Sequence, residues 1–460
     1  MSDRTRTLAL VGGPVLGAVA GLVAQAYGLS AHAAWTAAVT GLCAVWWIAE
    51  PIPIAVTSLV PFVAFPLTGV LDHKKVAGAY GHTLILLLLG GFILSQALEK
   101  SGAHRRMALG MVRLVGTHGR RRLVLGFMLA TAISSMWISN TATTLMMLPV
   151  AMAVLEQDDG HQLAAPLLLG IAYAASIGGL GTPIGTPPNV IFMGVYREVT
   201  HREISFLDWM GIGIPATLVL LPLAWWVVTR KLEKGDRFEL PKLGPWRSAE
   251  RRVLVIFVLT ALAWVFRTQP FGGWSGLIGA KGAGDSTVAL AAVVVLFLVP
   301  DGEGGQMLDW ETANKIPWGL LLLFGGGIAI AKGFEASGLS KALGHELSGI
   351  AGWGTVLMVF TLCISVTFLT EVTSNTATST LLMPVLAAAA IGAGMEPELL
   401  MVPAVLSASC AFMLPVATAP NAIMYGTGKV TVARMAREGV ILNILGAIAL
   451  TALSVALLHP

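Results

Sequence analysis

The sequence predicts an all-α polytopic membrane protein with about eleven transmembrane helices and two re-entrant hairpins, arranged as an inverted repeat. Three observations predict it: an apolar composition, a train of apolar runs of membrane-spanning length, and a polar motif that recurs in the second half. Hydrophobic residues make up 55% of the 460 and charged residues 12%, against about 25% charged in ordinary soluble proteins. Mean hydropathy is +0.78. One soluble core could not hide that much apolar surface, so a bilayer is the natural solvent. The net charge is only +4. No basic stripe interleaved with aromatic residues marks a nucleic-acid partner. Cys43, Cys363 and Cys410 lie in apolar stretches without CxxC spacing, which fits small apolar filler rather than zinc or a disulfide.

Taken in order, the short start to Thr7 carries Arg4 and Arg6 and leads into an apolar run without a clear cleavage site. It reads as a first membrane helix rather than a signal peptide. Spans fall near 8–27, 33–49, 54–71, 83–99, 162–196, 206–229, 253–268, 286–300, 317–333, 400–428 and 435–458. The segments 123–156 and 354–393 are too long for one span and are polar midway, as a hairpin whose tip stops inside the membrane would be. The span 162–196 is interrupted by Gly178, Gly179, Gly181, Pro183, Gly185, Pro187 and Pro188, and 400–428 by Pro415 and Pro420. Helix does not run through such sequence, and unwound backbone at membrane depth survives only where protein or a water-filled cavity satisfies it. The resulting organisation is an N-terminal segment with the first helix (1–32), a first repeat (33–230), a linker (231–252) and a second, inverted repeat (253–460).

Charge sets the orientation. The loop 100–122 carries Lys100, Arg105, Arg106, Arg113, Arg120, Arg121 and Arg122. The stretch 230–252 carries Arg230, Lys231, Lys234, Arg237, Lys242, Arg247, Arg251 and Arg252. The positive-inside rule puts both in the cytoplasm. The expectation is therefore a bacterial inner-membrane protein with its N-terminus inside and its C-terminus outside; Lys74 and Lys75 fall on the unfavoured side.

Self-similarity is the strongest feature. Ser139-Asn140-Thr141-Ala142-Thr143 recurs 235 residues later as Ser374-Asn375-Thr376-Ala377-Thr378, each followed by a proline, Pro149 and Pro384. Upstream, Gly90-Gly91 with Glu99 matches Gly326-Gly327 with Glu335 at an offset of 236. Downstream, Pro183-x-x-Thr186-x-Pro188-Asn189 matches Pro415-x-x-Thr418-x-Pro420-Asn421 at 232. A hairpin returns to its own side, so five spans plus one hairpin give each half an odd number of crossings and opposite orientations. Paired broken helices in inverted repeats mark secondary transporters, with the site at the repeat interface.

The motif chemistry agrees. Hydroxyl and amide oxygens suit a hard monovalent cation, while hydroxyls, amide N–H groups and helix N-termini suit a carboxylate. The motifs hold no Arg, Lys or His, so a bound dianion needs compensating charge, and co-bound cations supply it. The competing reading of Ser-Asn-Thr as small residues for close helix packing is weakened by the duplication. Glu371 is a candidate for tip structure or for ion coupling, and Glu50 for a structural role. Trp46, Trp47, Trp310 and Trp318 fit an interfacial belt.

At these residues the chain resembles the divalent anion/sodium symporter family, from about residue 33 onward. Trp-Trp-x-x-Glu-Pro-x-Pro at 46–53 and the segment from Ile316-Pro317-Trp318 to Gly325-Gly326-Gly327 share the likeness. The resemblance implies a homodimer in membrane lipid, with a scaffold domain and an elevator-type transport domain. It implies a first Na+ site on Ser135, Ser139, Asn140 and Gly185 and a second on Thr370, Ser374, Asn375 and Ala417. A carboxylate substrate would touch Asn140, Thr141, Thr186, Asn375, Thr376 and Thr418. Ser135 and Thr370 each stand four residues, one helical turn, before their tip serine. One departure is Ala419, where the family pattern has proline. The implied function is import of a C4-dicarboxylate (succinate, malate or fumarate) coupled to Na+. The alternatives are citrate or sulfate symport, proton coupling and anion exchange on the same fold. Paired breaks argue against a channel, and no G-x-S-x-G or HExxH motif points to an enzyme.

Overall fold

The computed structural model describes residues 3–158, 162–233, 238–269, 271–342 and 354–458. Lys234 and Arg237 of the linker lie outside them, as do short stretches of the assigned repeats. The architecture is all-α. The helices are α1 (Asp3–Ala26), α2 (Ala31–Ala49), α3 (Ile54–Thr57), α4 (Val60–Leu67), α5 (His73–Tyr80), α6 (Thr83–Ser101), α7 (Ala103–Val115), α8 (Arg120–Ser135), α9 (Asn140–Leu155), α10 (Ala164–Gly179) and α11 (Pro187–Thr200). They continue with α12 (Phe206–Thr229), α13 (Ser248–Val265), α14 (Gly273–Leu277), α15 (Asp285–Leu298), α16 (Trp310–Ala313), α17 (Trp318–Ser337), α18 (Thr355–Thr370), α19 (Asn375–Gly392), α20 (Glu398–Ala408), α21 (Ala419–Gly426) and α22 (Val432–Leu458). Among the described residues, seven helices are long and apolar enough to cross a membrane, and several shorter apolar ones accompany them.

The order long helix, helix pair, broken helix, long helix occurs twice. It runs α6, α8–α9, α10–α11, α12 in the first half and α17, α18–α19, α20–α21, α22 in the second. Each break is covered by a glycine of the following long helix. A Cβ on Gly213 would come 2.1 Å from the Leu180 carbonyl oxygen, and one on Gly439 would come 2.3 Å from that of Phe412. No larger residue allows that approach, and Leu180 and Phe412 are themselves 232 residues apart.

Three sequence expectations change. The span at 54–71 is two short helices, divided at Ser58–Leu59, where Pro61 has no N–H to bond the Thr57 carbonyl one turn earlier. The basic stretch 100–122 holds a full helix, α7. Its Ala103, Ala108, Leu109 and Val112 are buried against α8 and its Arg105 and Arg113 are exposed, the pattern of a helix lying along an interface. Trp47 is no belt residue. It is fully buried and its indole donates to the Ser58 hydroxyl at 3.0 Å, whereas Trp310 and Trp318 are exposed. Glu50 caps α2 in the left-handed region at φ 45°.

Candidate functional site

The two hairpin tips and the two breaks meet around one cavity of about 500 Å³. Its wall includes Ser139, Asn140 and Thr141 of the first tip, Ser374, Asn375 and Thr376 of the second, Gly185 and Thr186 of the first break, and Ala417 and Thr418 of the second. Four helices therefore begin at this cavity: α9, α11, α19 and α21. Each carries a partial positive charge at its first turn; Pro187 and Pro188 take two of the first N–H groups away from α11, and Pro420 takes one from α21. The tip motif folds this way because an N-cap favours Ser and Thr in extended backbone: Ser139 (ψ 144°), Ser374 (ψ 134°), Thr186 (ψ 143°) and Thr418 (ψ 152°) all occupy that position.

Behind each tip lies a cluster of oxygens. The Ser135 hydroxyl is 2.7 Å from both Asn140 Oδ1 and the Ala175 carbonyl oxygen. In the second half, the Thr370 hydroxyl is 2.6 Å from Asn375 Oδ1 and 2.8 Å from the Ala408 carbonyl oxygen. A hydroxyl owns one proton, so each cluster gathers three oxygens around a single hydrogen. That is the donor set of a hard cation. Gly185 approaches the first cluster from the break. The space a Cβ on Gly179 would fill is bounded by Asn140 Oδ1 at 2.8 Å and the Gly185 carbonyl oxygen at 3.2 Å. Glycine at 179 is what lets these two oxygens share one neighbourhood.

The tip serines behave differently from their assigned partners. The Ser139 hydroxyl accepts the Ala142 N–H at 3.2 Å and so closes the first turn of α9. The Ser374 hydroxyl caps nothing. Both serines are exposed at the cavity rather than folded into the oxygen clusters. Thr141 is exposed, whereas Thr376 is nearly buried.

The breaks are held from behind by matched asparagines. Asn189 Nδ2 donates to the Gly179 and Thr182 carbonyls at 2.9 and 2.8 Å, and Asn421 Nδ2 donates to Ala411 and Leu414, both at 3.1 Å. Glu371, a candidate for two roles, takes the structural one. Its carboxylate accepts the N–H groups of Phe412, Met413 and Leu414 at 2.6, 2.9 and 3.0 Å, and Asn443 Nδ2 at 2.8 Å. Four donors occupy its lone pairs, and it is buried.

Four contributors were not assigned to the site by motif reading. The Ala175 and Ala408 carbonyls carry no side-chain signature; only the repeat offset, 233 residues, could have flagged them. Glu99 and Lys315 are the acid and the base on the cavity wall, from the ends of α6 and of the segment preceding α17. The duplicated glutamate, Glu99 and Glu335, was the available clue to the first.

A family model described as the sodium:sulfate symporter transmembrane region matches residues 5–458. The chain is 40% identical over 476 residues to the sodium-dependent dicarboxylate transporter SdcS of Staphylococcus saprophyticus, covering 98% of this chain and 91% of that one. It is 40% identical over 466 residues to SdcS of Staphylococcus aureus strain NCTC 8325, covering 96% and 89%. The solved structure of the Alcanivorax borkumensis YdaH transporter superposes with a TM-score of 0.58 at 16% identity, covering 83% of this chain and 88% of that one, which is a likeness of fold.

Proposed function

The chain belongs to the sodium:sulfate symporter family, and from that premise we propose that it imports a C4-dicarboxylate together with Na+ by alternating access. The observation that carries the reading is the cavity itself. Two proton-poor oxygen clusters stand behind two tips, and four helix N-termini begin around the space between them. The clusters hold Na+ through Ser135, Asn140 and Gly185 on one side and Thr370, Asn375 and Ala417 on the other. Ala175 and Ala408 add carbonyls, and Ser139 and Ser374 stand at the rims. The N-termini and the tip hydroxyls hold the carboxylates, through Thr141 and Thr186 at one end and Thr376 and Thr418 at the other. Ala419 leaves this ring of N-termini intact, because the helix still starts there.

The names of the relatives support sodium and dicarboxylate. The helix order supports two repeats. Their inversion is supported at the cavity, where α6 ends, with Gln96 and Glu99, and α17 begins, with Pro317 and Leu320, so the two run in opposite directions. With the basic stretches inside, the cavity opens toward the cytoplasm and the C-terminus lies outside. A scaffold built on α6 and α17 would carry a homodimer, while the hairpins and broken helices move as an elevator.

The test is uptake of labelled succinate into proteoliposomes under an inward Na+ gradient, against K+ or a proton gradient alone, with citrate and sulfate as competitors. Na+-dependent succinate accumulation, blocked by malate or fumarate, is the expected result. Uptake that is indifferent to Na+ overturns symport, and accumulation of sulfate but not succinate overturns the substrate.

A further inference from the structure

The end of the molecule remote from the cavity is sealed by polar contacts. Helix α11 starts at the cavity and, at about 1.5 Å per residue, carries Glu198 well over 10 Å away. There Glu198 meets Lys332 of α17 at 3.2 Å and His82, just before α6, at 3.3 Å. Its neighbour Arg197 donates to the Thr83 hydroxyl at 2.8 Å. At the same end, Glu335 of α17 faces His201 at the close of α11, at 3.9 Å. All of these contacts join α11 to the outer ends of α6 and α17.

The repeat relates this seal to groups at the open end. Glu335 corresponds to Glu99 at the offset of 236, and Arg197 to Lys429 at the offset of 232. Glu99 faces the cavity, and among the described residues the Gln96 amide, at 3.5 Å, is its side-chain hydrogen-bond partner. Lys429 follows α21, is exposed, and makes no ion pair among the described residues. Opposite charges thus stand unpaired on the two elements whose counterparts are joined at the sealed end, where Glu335 lies against His201 and Arg197 itself against Glu203 at 4.0 Å.

We propose that Glu99 and Lys429 form the ion pair that seals the present opening when the transporter turns to its other face. The inference rests on the alternating-access reading above. In the second state the transport elements move so that the segment after α21 meets the end of α6, as the end of α11 now meets α17. The mirror is incomplete. Lys332 corresponds to Gln96 and Glu198 to Val430, so the bridge from α17 has no charged equivalent, and Glu99–Lys429 is the ion pair left to close that end.

The test uses the full chain in proteoliposomes. The native Cys43, Cys363 and Cys410 are buried, so paired cysteines can be read against a quiet background. A Glu99→Cys/Lys429→Cys variant should cross-link under an oxidant during Na+-driven turnover, lose uptake, and regain it on reduction. A Glu198→Cys/Lys332→Cys variant should cross-link without turnover. Independently, Glu99→Lys and Lys429→Glu should each slow uptake about fivefold, and the two together should recover it. If the first cysteine pair never cross-links and the exchanged pair does not recover, while the unmodified chain shows Na+-dependent uptake, the ion pair is wrong and the transport reading stands. Absence of Na+-dependent uptake in the unmodified chain overturns both.

Discussion

The two breaks begin from the same motif and solve the same problem differently. In the first, α10 runs to Gly179 and the chain crosses residues 180–186 in tight turns. The N–H groups of Leu180 and Gly181 stay paired locally, to Ile177 and Gly178 at 3.2 and 2.9 Å. In the second, α20 ends at Ala408, three residues before the position that matches Gly179, and the unwound stretch runs over 409–418. That earlier ending frees the N–H groups of residues 412–414 in buried surroundings, where an unpaired donor is costly. Glu371 takes all three. Its counterpart in the first half is Met136, which packs against Gly181 and offers only its backbone carbonyl, to the Thr182 hydroxyl. The first break is held by close packing of small residues, and the second by one carboxylate. A duplicated site can therefore keep its ligands while its two copies fail in different ways.

Four tests, using seven substitutions, sharpen or break this contrast. The largest effect belongs to the amides that both halves share. Asn140→Ala and Asn375→Ala should each weaken Na+-dependent uptake by about 30-fold or more, by removing a half-buried oxygen of the proposed sodium sites. Sodium titration of uptake measures it, and an unchanged sodium response in either variant would break the symmetry of function. Next is Glu371→Gln. It places an amide donor against backbone donors and should cost about 2–4 kcal/mol of stability, whereas Thr182→Val in the first break should cost about 1 kcal/mol. Thermal unfolding in detergent compares the two, and equal losses would refute the carboxylate's special part.

Third is Gly179→Ala, whose methyl would lie 2.8 Å from Asn140 Oδ1. The second half already carries alanine at the matching position, Ala411, with the same asparagine bond to its carbonyl. The variant should raise the sodium concentration for half-maximal uptake about tenfold with little change in unfolding temperature. The smallest effect is expected from the tip serines. Ser139→Ala should cost about 1 kcal/mol through its lost cap, and Ser374→Ala far less, because its hydroxyl caps nothing.

Much of this was legible in the sequence because the repeat is written in residue types that backbone geometry demands. Pro188 and Asn189 with Pro420 and Asn421 marked the breaks, and Ser-Asn-Thr marked the helix starts. What stayed hidden has a physical reason in each case. The Ala175 and Ala408 carbonyls belong to residues whose side chains say nothing. The role of Glu371 depended on where α20 stops, which tertiary packing decides. Helix α7 was masked by its charge, because Arg105, Arg106 and Arg113 read as a loop until the alternate face, Ala108, Leu109 and Val112, is seen buried. Trp47 shows the same limit from the other side: two adjacent tryptophans suit an interface by type, yet Trp47 points inward to Ser58.

The ring of four helix N-termini has a thermodynamic consequence on the proposed reading. Asn140 and Asn375 each begin a helix and also offer an oxygen to a cation. A sodium ion alone sits beside positive helix ends, and a dianion alone finds partial charges where it needs whole ones. Each ligand relieves the other's penalty. By linkage, the factor by which sodium raises affinity for the anion equals the factor by which the anion raises affinity for sodium. Obligatory co-transport can then arise without a separate coupling element, because half-loaded states are the least populated ones.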